Sequence, residues 1–315
     1  MSQNFSNKAI RLEISLGEGS FAGGGNTKVI EGLACDVTVR KVGVPSKNDA
    51  RVKVWGLSYA DMAQLTMLAF KPLESQHNLI SIWAGEKSGA GGGFAQSFAD
   101  GFTGDSAGAS AASSSGSGSM ALVFQGEITS AFADFNAAPD VCMEFEADSG
   151  IYPQQLGLPV AAVQGEVKAE QLFEKFAAQA GYTFKNEGVT SSVRDACFPG
   201  SPYDKLSKLA RYVGCDLFID DGAVVVMPAG QAREGDTVYL SKDTGLIGYP
   251  TFTQDGISCR CFFNPGLEHG GLIQVQSMVP RASGLWRING LTHNLSADTP
   301  GGGSWESQIE AAFYE

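Results

Sequence analysis

The chain has 315 residues, enough for two or three domains, and its 43% apolar content is that of an ordinary globular protein. A formal net charge of −12 argues against a nucleic-acid-binding protein, which needs a basic face to neutralise phosphate. No apolar run approaches the roughly 20 residues that span a bilayer, and the opening MSQNFSNKAIRLEISL lacks the pattern of a signal peptide, so membrane insertion is not expected and manufacture in a cytoplasm is.

Residues 8–84 read as rich in β structure. Ile10, Leu12, Ile14 and Leu16 fall on alternate positions, as do Leu33, Cys35, Val37 and Val39, and then Val52 and Val54 before Trp55. At Ser58 the period changes. With Asp61 at the third position and Met62, Leu65 and Ala69 on one stripe, a capped helix is expected over 58–69, followed by a strand over 79–84. Residues 88–119 are mostly Gly, Ser and Ala and read as a flexible insert between two strands. Phe94, Phe98 and Phe102 lie at helical spacing within it, although incidental aromatics in an unstructured loop explain them as well. The β pattern resumes at Leu122 and continues through Val141, Met143, Phe145 and Ala147.

A different texture begins near Tyr152. Over 169–182, Leu172, Phe173, Phe176, Ala177 and Ala180 form one apolar stripe that Gly181 ends. Ser201-Pro202 opens a second helix with Leu206, Leu209, Ala210 and Val213 on one face, closed by Gly214. Strand-like runs at 215–219 and 223–227 flank Asp220-Asp221-Gly222, a hairpin signal. From Asp236 the chain is β-like to its end. The expected fold class is therefore mainly β with an α+β insert. The expected divisions are a first β domain over 1–151, a small two-helix α+β module over 152–235 and a second β domain over 236–315.

The sequence supplies no catalytic, cofactor-binding or metal-ligating set. The cysteines Cys35, Cys142, Cys197, Cys215, Cys259 and Cys261 lack the two-pair spacing of a zinc site and are expected to be buried free thiols. His77, His269 and His293 form no ligand-spaced pair, and a triad drawn from His269, Ser283 and Asp298 lacks a nucleophile elbow or oxyanion turn. His293 is expected to satisfy local hydrogen bonds from a strand. Gly17-Glu18-Gly19 and the glycines within 89–93 read as turns, not phosphate cradles. Asp216, Asp220 and Asp221 lack calcium-loop spacing and read as a turn. Trp286 and Trp305 flank the last hairpin and are expected on the barrel core.

The stretch 244–313 is the most specific part of the chain. A Gly-Tyr-Pro lead-in precedes NPGLEHGGLIQVQS and then GLWRINGLTHNLSADTPGGGSWESQIEA. In order and residues it resembles the closing barrel of bacteriophage baseplate hub proteins. RVKVWGLSYADMAQLT, NLISIWAGE and ALVFQGEITSAFADFNAAPDVCMEFEA follow the same family's order upstream, and AEQLFEKFAAQAGYTF with SPYDKLSKLARYVGCDLFIDDGAVVVMPAG is similar to its helical module. The resemblance implies two tail-tube-like β-barrel domains separated by that module, and a structural, non-enzymatic hub in the baseplate of a phage tail.

It further implies a homotrimer whose six barrels form a pseudo-six-fold ring between a hexameric tail tube and a trimeric central spike. Its partners would be the tail tube protein or an adjoining tube-initiator ring, the spike, the tape-measure protein and other baseplate proteins. Genomic DNA would pass through the channel without specific binding during ejection, helped by acidic walls that give no counterion-release gain. The expected location is the virion tail, assembled in the host cytoplasm. Three other readings compete: a carbohydrate-binding or adhesin-like β protein of the tail tip, a cell-wall hydrolase, which the absent catalytic constellation disfavours, and a single-ring distal tail or tube-initiator protein with one barrel.

Overall fold

A computed structural model describes residues 8–17, 20–21, 24–66, 78–86, 120–136, 138–299 and 302–314. The expected insert at 88–119 with Phe94, Phe98 and Phe102 lies outside them, as do His77, the glycines within 89–93 and the end of the first expected helix at 67–69.

The N-terminal part consists of β1 (Lys8–Ser15), β2 (Thr27–Glu31), β3 (Cys35–Lys41), β4 (Asp49–Trp55), α1 (Tyr59–Thr66), β5 (Leu79–Glu86), β6 (Met120–Asp134) and β7 (Cys142–Asp148). Each strand alternates as its sequence does, so Leu12, Ile14, Val37, Val39, Val52 and Val54 share one core with Phe124, Met143 and Phe145. Ser58 caps α1 by accepting a hydrogen bond from the Asp61 backbone N–H at 3.2 Å, and Met62 and Leu65 seat the helix on that core.

The middle part holds α2 (Ile151–Gln155), β8 (Ala161–Ala162), β9 (Glu166–Lys168), α3 (Ala169–Ala180), β10 (Thr183–Asn186), β11 (Ser192–Arg194), β12 (Cys197–Phe198), α4 (Pro202–Val213), β13 (Cys215–Asp220) and β14 (Ala223–Pro228). Both expected helices are present, preceded by the short α2. Helix α3 stops at Gly181, whose φ of 79° suits a residue without a Cβ. Helix α4 opens with a reciprocal cap between Ser201 and Asp204. The hairpin β13–β14 is buried on both faces. Leu217, Ile219, Val224 and Val226 meet the helices, while Phe218, Val225 and Met227 form a separate cluster on the other side.

The C-terminal part consists of β15 (Val238–Leu240), β16 (Leu246–Phe252), β17 (Ile257–Phe262), β18 (Leu272–Val275), β19 (Gly284–Ala297) and β20 (Trp305–Phe313). Its own core includes Ile257, Cys259, Cys261, Ile273, Trp286 and Ile309.

The two β parts are joined edge to edge. One 13-stranded sheet runs β16-β17-β20-β19-β3-β4-β7-β6-β5-β1-β2, with β18 attached to β19 and β15 to β18. Within it, β3 to β7 and β16 to β20 repeat the same plan in the same chain order. The antiparallel pairs β3·β4, β4·β7, β7·β6 and β6·β5 correspond to β16·β17, β17·β20, β20·β19 and β19·β18. The two longest strands, β6 and β19, hold equivalent places, and each carries a bulge at its middle, between Ile128 and Ser130 and between Ile288 and Gly290. Before its bulge β6 pairs with β5 and β19 with β18; after it β6 lies beside β7, and β19 between β20 and β3. Close packing at the first bend admits only glycine: a Cβ on Gly126 would lie 2.6 Å from the Phe124 ring and 2.8 Å from the Asp148 carbonyl oxygen.

Candidate functional site

Eight consecutive strands, four from each repeat, form a broad front face: β16, β17, β20 and β19, then β3, β4, β7 and β6. Side chains alternate across a strand, so the apolar residues of these strands enter the cores and their polar residues share the opposite face. Paired positions continue this face across the seam between repeats. Arg260, Gln308, Thr292, Arg40, Asp49 and Asp148 make one lateral row. Phe262, Glu306, Asn294, Thr38, Arg51, Glu146 and Ser130 make the next, and Ser296, Asp36, Lys53 and Glu144 a third.

Neighbours within these rows satisfy one another. Lys53 reaches Glu144 at 2.6 Å, and Arg51 and Arg40 lie 3.4 Å from Glu146 and Asp49. At the seam, Ser296 donates to Asp36 at 2.7 Å and Thr38 donates to Asn294 at 3.2 Å. Eight acids (Asp36, Asp49, Asp134, Glu144, Glu146, Asp148, Glu306, Glu310) stand on this face against four bases (Arg40, Arg51, Lys53, Arg260), so its excess charge is negative.

A second constellation, behind the seam, locks the helical module to both repeats. Lys41, at the end of β3, is buried with its Nζ 2.9 Å from Asp220 and 2.9 Å from Asp221 of the β13–β14 turn. Arg233, in the link to β15, lies 3.3 Å from Asp220 and 3.3 Å from Glu268. Arg287 of β19 pairs with Asp216 at 2.6 Å. Asn48 donates to the Ile219 carbonyl at 3.0 Å, and Tyr203 donates to the Pro45 carbonyl at 2.9 Å.

Burial alone would pull Lys41 down, but Asp220 and Asp221 outweigh it and hold the ammonium above the usual lysine range. Burial would also raise Asp220, and there Lys41 and Arg233 win, keeping it ionised. Asp221 has the weaker share of positive charge, and burial with Asp220 beside it pushes its carboxyl up to about 7. Of the three aspartates read from the sequence as a turn, Asp220 and Asp221 sit at the β13–β14 turn and Asp216 lies within β13, and the carboxylates of all three anchor the module. No local signal revealed this, because their partners come from β3, the β15 link and β19.

The remaining residues singled out in the sequence are placed as follows. His269 Nε2 lies 2.7 Å from the Asn289 carbonyl, while Ser283 bonds to Ser277, so the structure gives two members of the paper triad separate partners. His293 Nδ1 meets Ser307 Oγ at 2.8 Å, and burial holds its pKa down to about 3, so the ring is neutral. Trp286 lies in the second core and Trp305 packs on the first. Four of the six cysteines are buried, whereas Cys197 is exposed and Cys215 half-buried, which corrects the expectation for those two. The strand carrying Cys197 is only two residues long and its side chain falls on the open face.

Among the described residues, one set of three potential metal donors stands close together, Asp134, Cys142 and Glu144. The set does not suit a cation. Lys53 already holds Glu144, Asp134 accepts from the Asn136 backbone at 2.8 Å, and burial raises Cys142, favouring the neutral thiol. Glu127 is a lone buried carboxyl bonded to the Ile151 N–H at 3.4 Å and the Tyr182 hydroxyl at 3.5 Å.

Comparison with known proteins agrees with this architecture. The sequence matches the family described as baseplate hub gp41 over residues 10–300. No curated protein sequence matches it. The tail protein of Neisseria meningitidis MC58 is similar in structure, with 9% identity and a TM-score of 0.60, over 97% of this chain and 96% of that one. The 43 kDa tail protein of prophage MuSo2 from Shewanella oneidensis shows 10% identity and a TM-score of 0.57, over 96% of each chain. The E. coli c3393 protein shows 12% identity and a TM-score of 0.52, over 90% of this chain and 74% of that one. It is described as a type VI secretion component structurally similar to T4 bacteriophage tail proteins gp27 and gp5. At these identities the likeness is one of fold, and it is the expected mainly β fold of tail hub proteins.

Proposed function

The chain belongs to the baseplate hub gp41 family, and on that premise we propose that it acts as a trimeric ring joining a tail tube to the central spike. It is a structural component of a phage tail baseplate, located in the virion tail among other tail and baseplate proteins. The finer reading rests above all on the continuous polar face of eight strands, four from each repeat. Three copies placed side by side would present 24 strands. At about 4.8 Å per strand they would enclose a perimeter of about 115 Å, and more once the strands tilt. That is a bore of roughly 35 Å or wider between backbones.

In this ring the two repeats of each chain act as two of six similar units, which reconciles a six-fold tube with a three-fold spike. The excess of acid on the face keeps DNA and the tape-measure protein moving, since anionic walls offer phosphate no counterion gain. Three hydrophobic cores support divisions at 1–151, 152–235 and 236–315, with Leu295 and Ala297 of the last entering the first core, and the role is one of geometry rather than catalysis. Assembly on the spike and under the tube would take place in the host cytoplasm.

Light scattering of the purified protein, with negative-stain images of the same sample, tests the reading. Trimeric rings with a central hole are expected. A monomer without rings at every concentration would overturn the ring and make glycan binding the next question. In infecting particles, Glu146→Lys with Glu310→Lys is expected to slow DNA ejection, and unchanged kinetics would remove this face from the channel wall.

A further inference from the structure

A cavity of about 140 Å³ lies where the first repeat meets the helical module. Leu79 of β5 with Gln125 and Glu127 of β6 line it from one side, and Tyr152 of α2, Tyr182 after α3 and Ile219 of β13 from the other. Its walls are mainly apolar, and Glu127 is the one carboxyl among the described residues that line it.

That carboxyl is under-satisfied. Glu127 is 5% exposed. The hydrogen bonds it accepts, from the Ile151 N–H at 3.4 Å and the Tyr182 hydroxyl at 3.5 Å, are both longer than the usual ~2.9 Å. Lys47 feels its charge and that of Asp148, but the Lys47 ammonium bonds to Gln154 and lies 5.4 Å from the centre of the Tyr203 ring. Among the described residues no lysine, arginine or histidine forms an ion pair with Glu127. A carboxylate withdrawn from water without a cation is costly. Burial accordingly raises Glu127 above the usual carboxylate range, despite the backbone N–H groups of Glu127, Ile151 and Gly150 and the Tyr182 hydroxyl.

We propose that this cavity binds a primary alkylammonium group, its nitrogen against Glu127 and its carbon chain along Leu79, Ala180 and Ile219. The walls select this chemistry. An ammonium has three donors, and three acceptors line the cavity: the Glu127 carboxylate, the Tyr182 hydroxyl and the Gln125 amide oxygen. A hard metal ion needs about six or more oxygen ligands, which apolar walls withhold. A guanidinium brings five donors, more than these groups accept. Volume sets the size. At about 30 Å³ per heavy atom, the share water takes in the liquid, the cavity holds roughly five non-hydrogen atoms, one nitrogen and four carbons. A lysine side chain has that composition, and so does a free butylamine. Since the repeat and the module both line the cavity, the bound group ties the two together within one chain, whatever the assembly.

The test titrates the full chain with n-butylamine, followed by calorimetry and thermal melting. Saturable binding is expected with a dissociation constant of about 1 mM, well inside the limit for five atoms. Glu127→Gln, which keeps the side-chain size, is expected to weaken it at least about tenfold, and neutral n-butanol to bind at least about tenfold more weakly than the amine. Affinity for the amine is expected to fall as pH is lowered from 8 to 5, because protonating Glu127 removes the partner of the ammonium. Nα-acetyl-lysine amide separates the sources: binding as tight as that of butylamine assigns the cavity to a protein lysine, and binding of butylamine alone to a free amine. Equal binding of butylamine and butanol, or no melting shift at about fifty times the expected constant, would overturn the proposal. If Glu127→Gln fails to fold, the comparison of amine with alcohol and its pH dependence decide on the wild-type chain.

Discussion

Replacing Lys41 by Met tests whether the charge cluster behind the seam holds the module to the two repeats. The side chains of Lys41, Asp220 and Asp221 are 6%, 8% and 25% exposed, and both contacts are 2.9 Å. At that separation each contact is worth about 6 kcal/mol at an effective dielectric of about 20. Withdrawing three ions from water costs several kcal/mol each, so the intact cluster contributes little net stability. Removing the cation alone is different, because it leaves two neighbouring buried carboxylates facing Arg233; breaking such a set costs about 3–5 kcal/mol. Asp221 can take up a proton once Lys41 is gone, which limits the loss to about 3 kcal/mol, the lower end of that range.

Urea unfolding at pH 8, followed by tryptophan fluorescence, reads this loss directly. Adding Asp221→Asn to Lys41→Met is expected to recover about 1–2 kcal/mol, since it removes a carboxylate that no longer has a partner. A loss below about 1 kcal/mol for Lys41→Met, the level of an exposed pair, would refute the argument, because the cluster would then be solvated and could not be the anchor described.

Two further outcomes follow from single residues. The Asp221 carboxyl sits at about 7 in the folded chain against about 3.9 unfolded. The folded state therefore holds more protons between those values, and the group's contribution is full below about pH 4 and lost as pH rises towards 7. Asp221→Asn, which suits the φ of 48° at that position, is expected to flatten this part of the stability–pH curve and to be the more stable protein at pH 8. An unchanged slope would sink the assignment. Gly126→Ala forces a Cβ to within 2.6 Å of the Phe124 ring and 2.8 Å of the Asp148 carbonyl. It is expected to cost about 1–3 kcal/mol, seen as a lower urea midpoint, and an unchanged midpoint would mean that β6 does not need its close bend.

Local features were legible in residue order. The alternation of Val37 and Val39, or of Val52 and Val54, is a property of neighbours on one strand. The Ser58, Ser201, Gly181 and Gly214 signals each act within one helical turn, and they sit where expected. The hairpin at Asp220 to Gly222 was equally plain. The polar side of the front face was partly visible as Arg51 and Lys53, or Glu144 and Glu146, on alternate positions. What those positions have in common was not.

The chain alone thus determined that it is mainly β with a helical module between two β parts, because strand period, caps and turns depend on residues a few positions apart. Tertiary structure decided that the two parts share one sheet, since β19 pairs with a strand more than 250 residues earlier. It also turned the turn aspartates into anchors, by bringing Lys41 from the far end of the chain into their low-dielectric surroundings. Such pairings depend on lateral register and on which charges are buried together, and neither leaves a mark within a window of neighbouring residues.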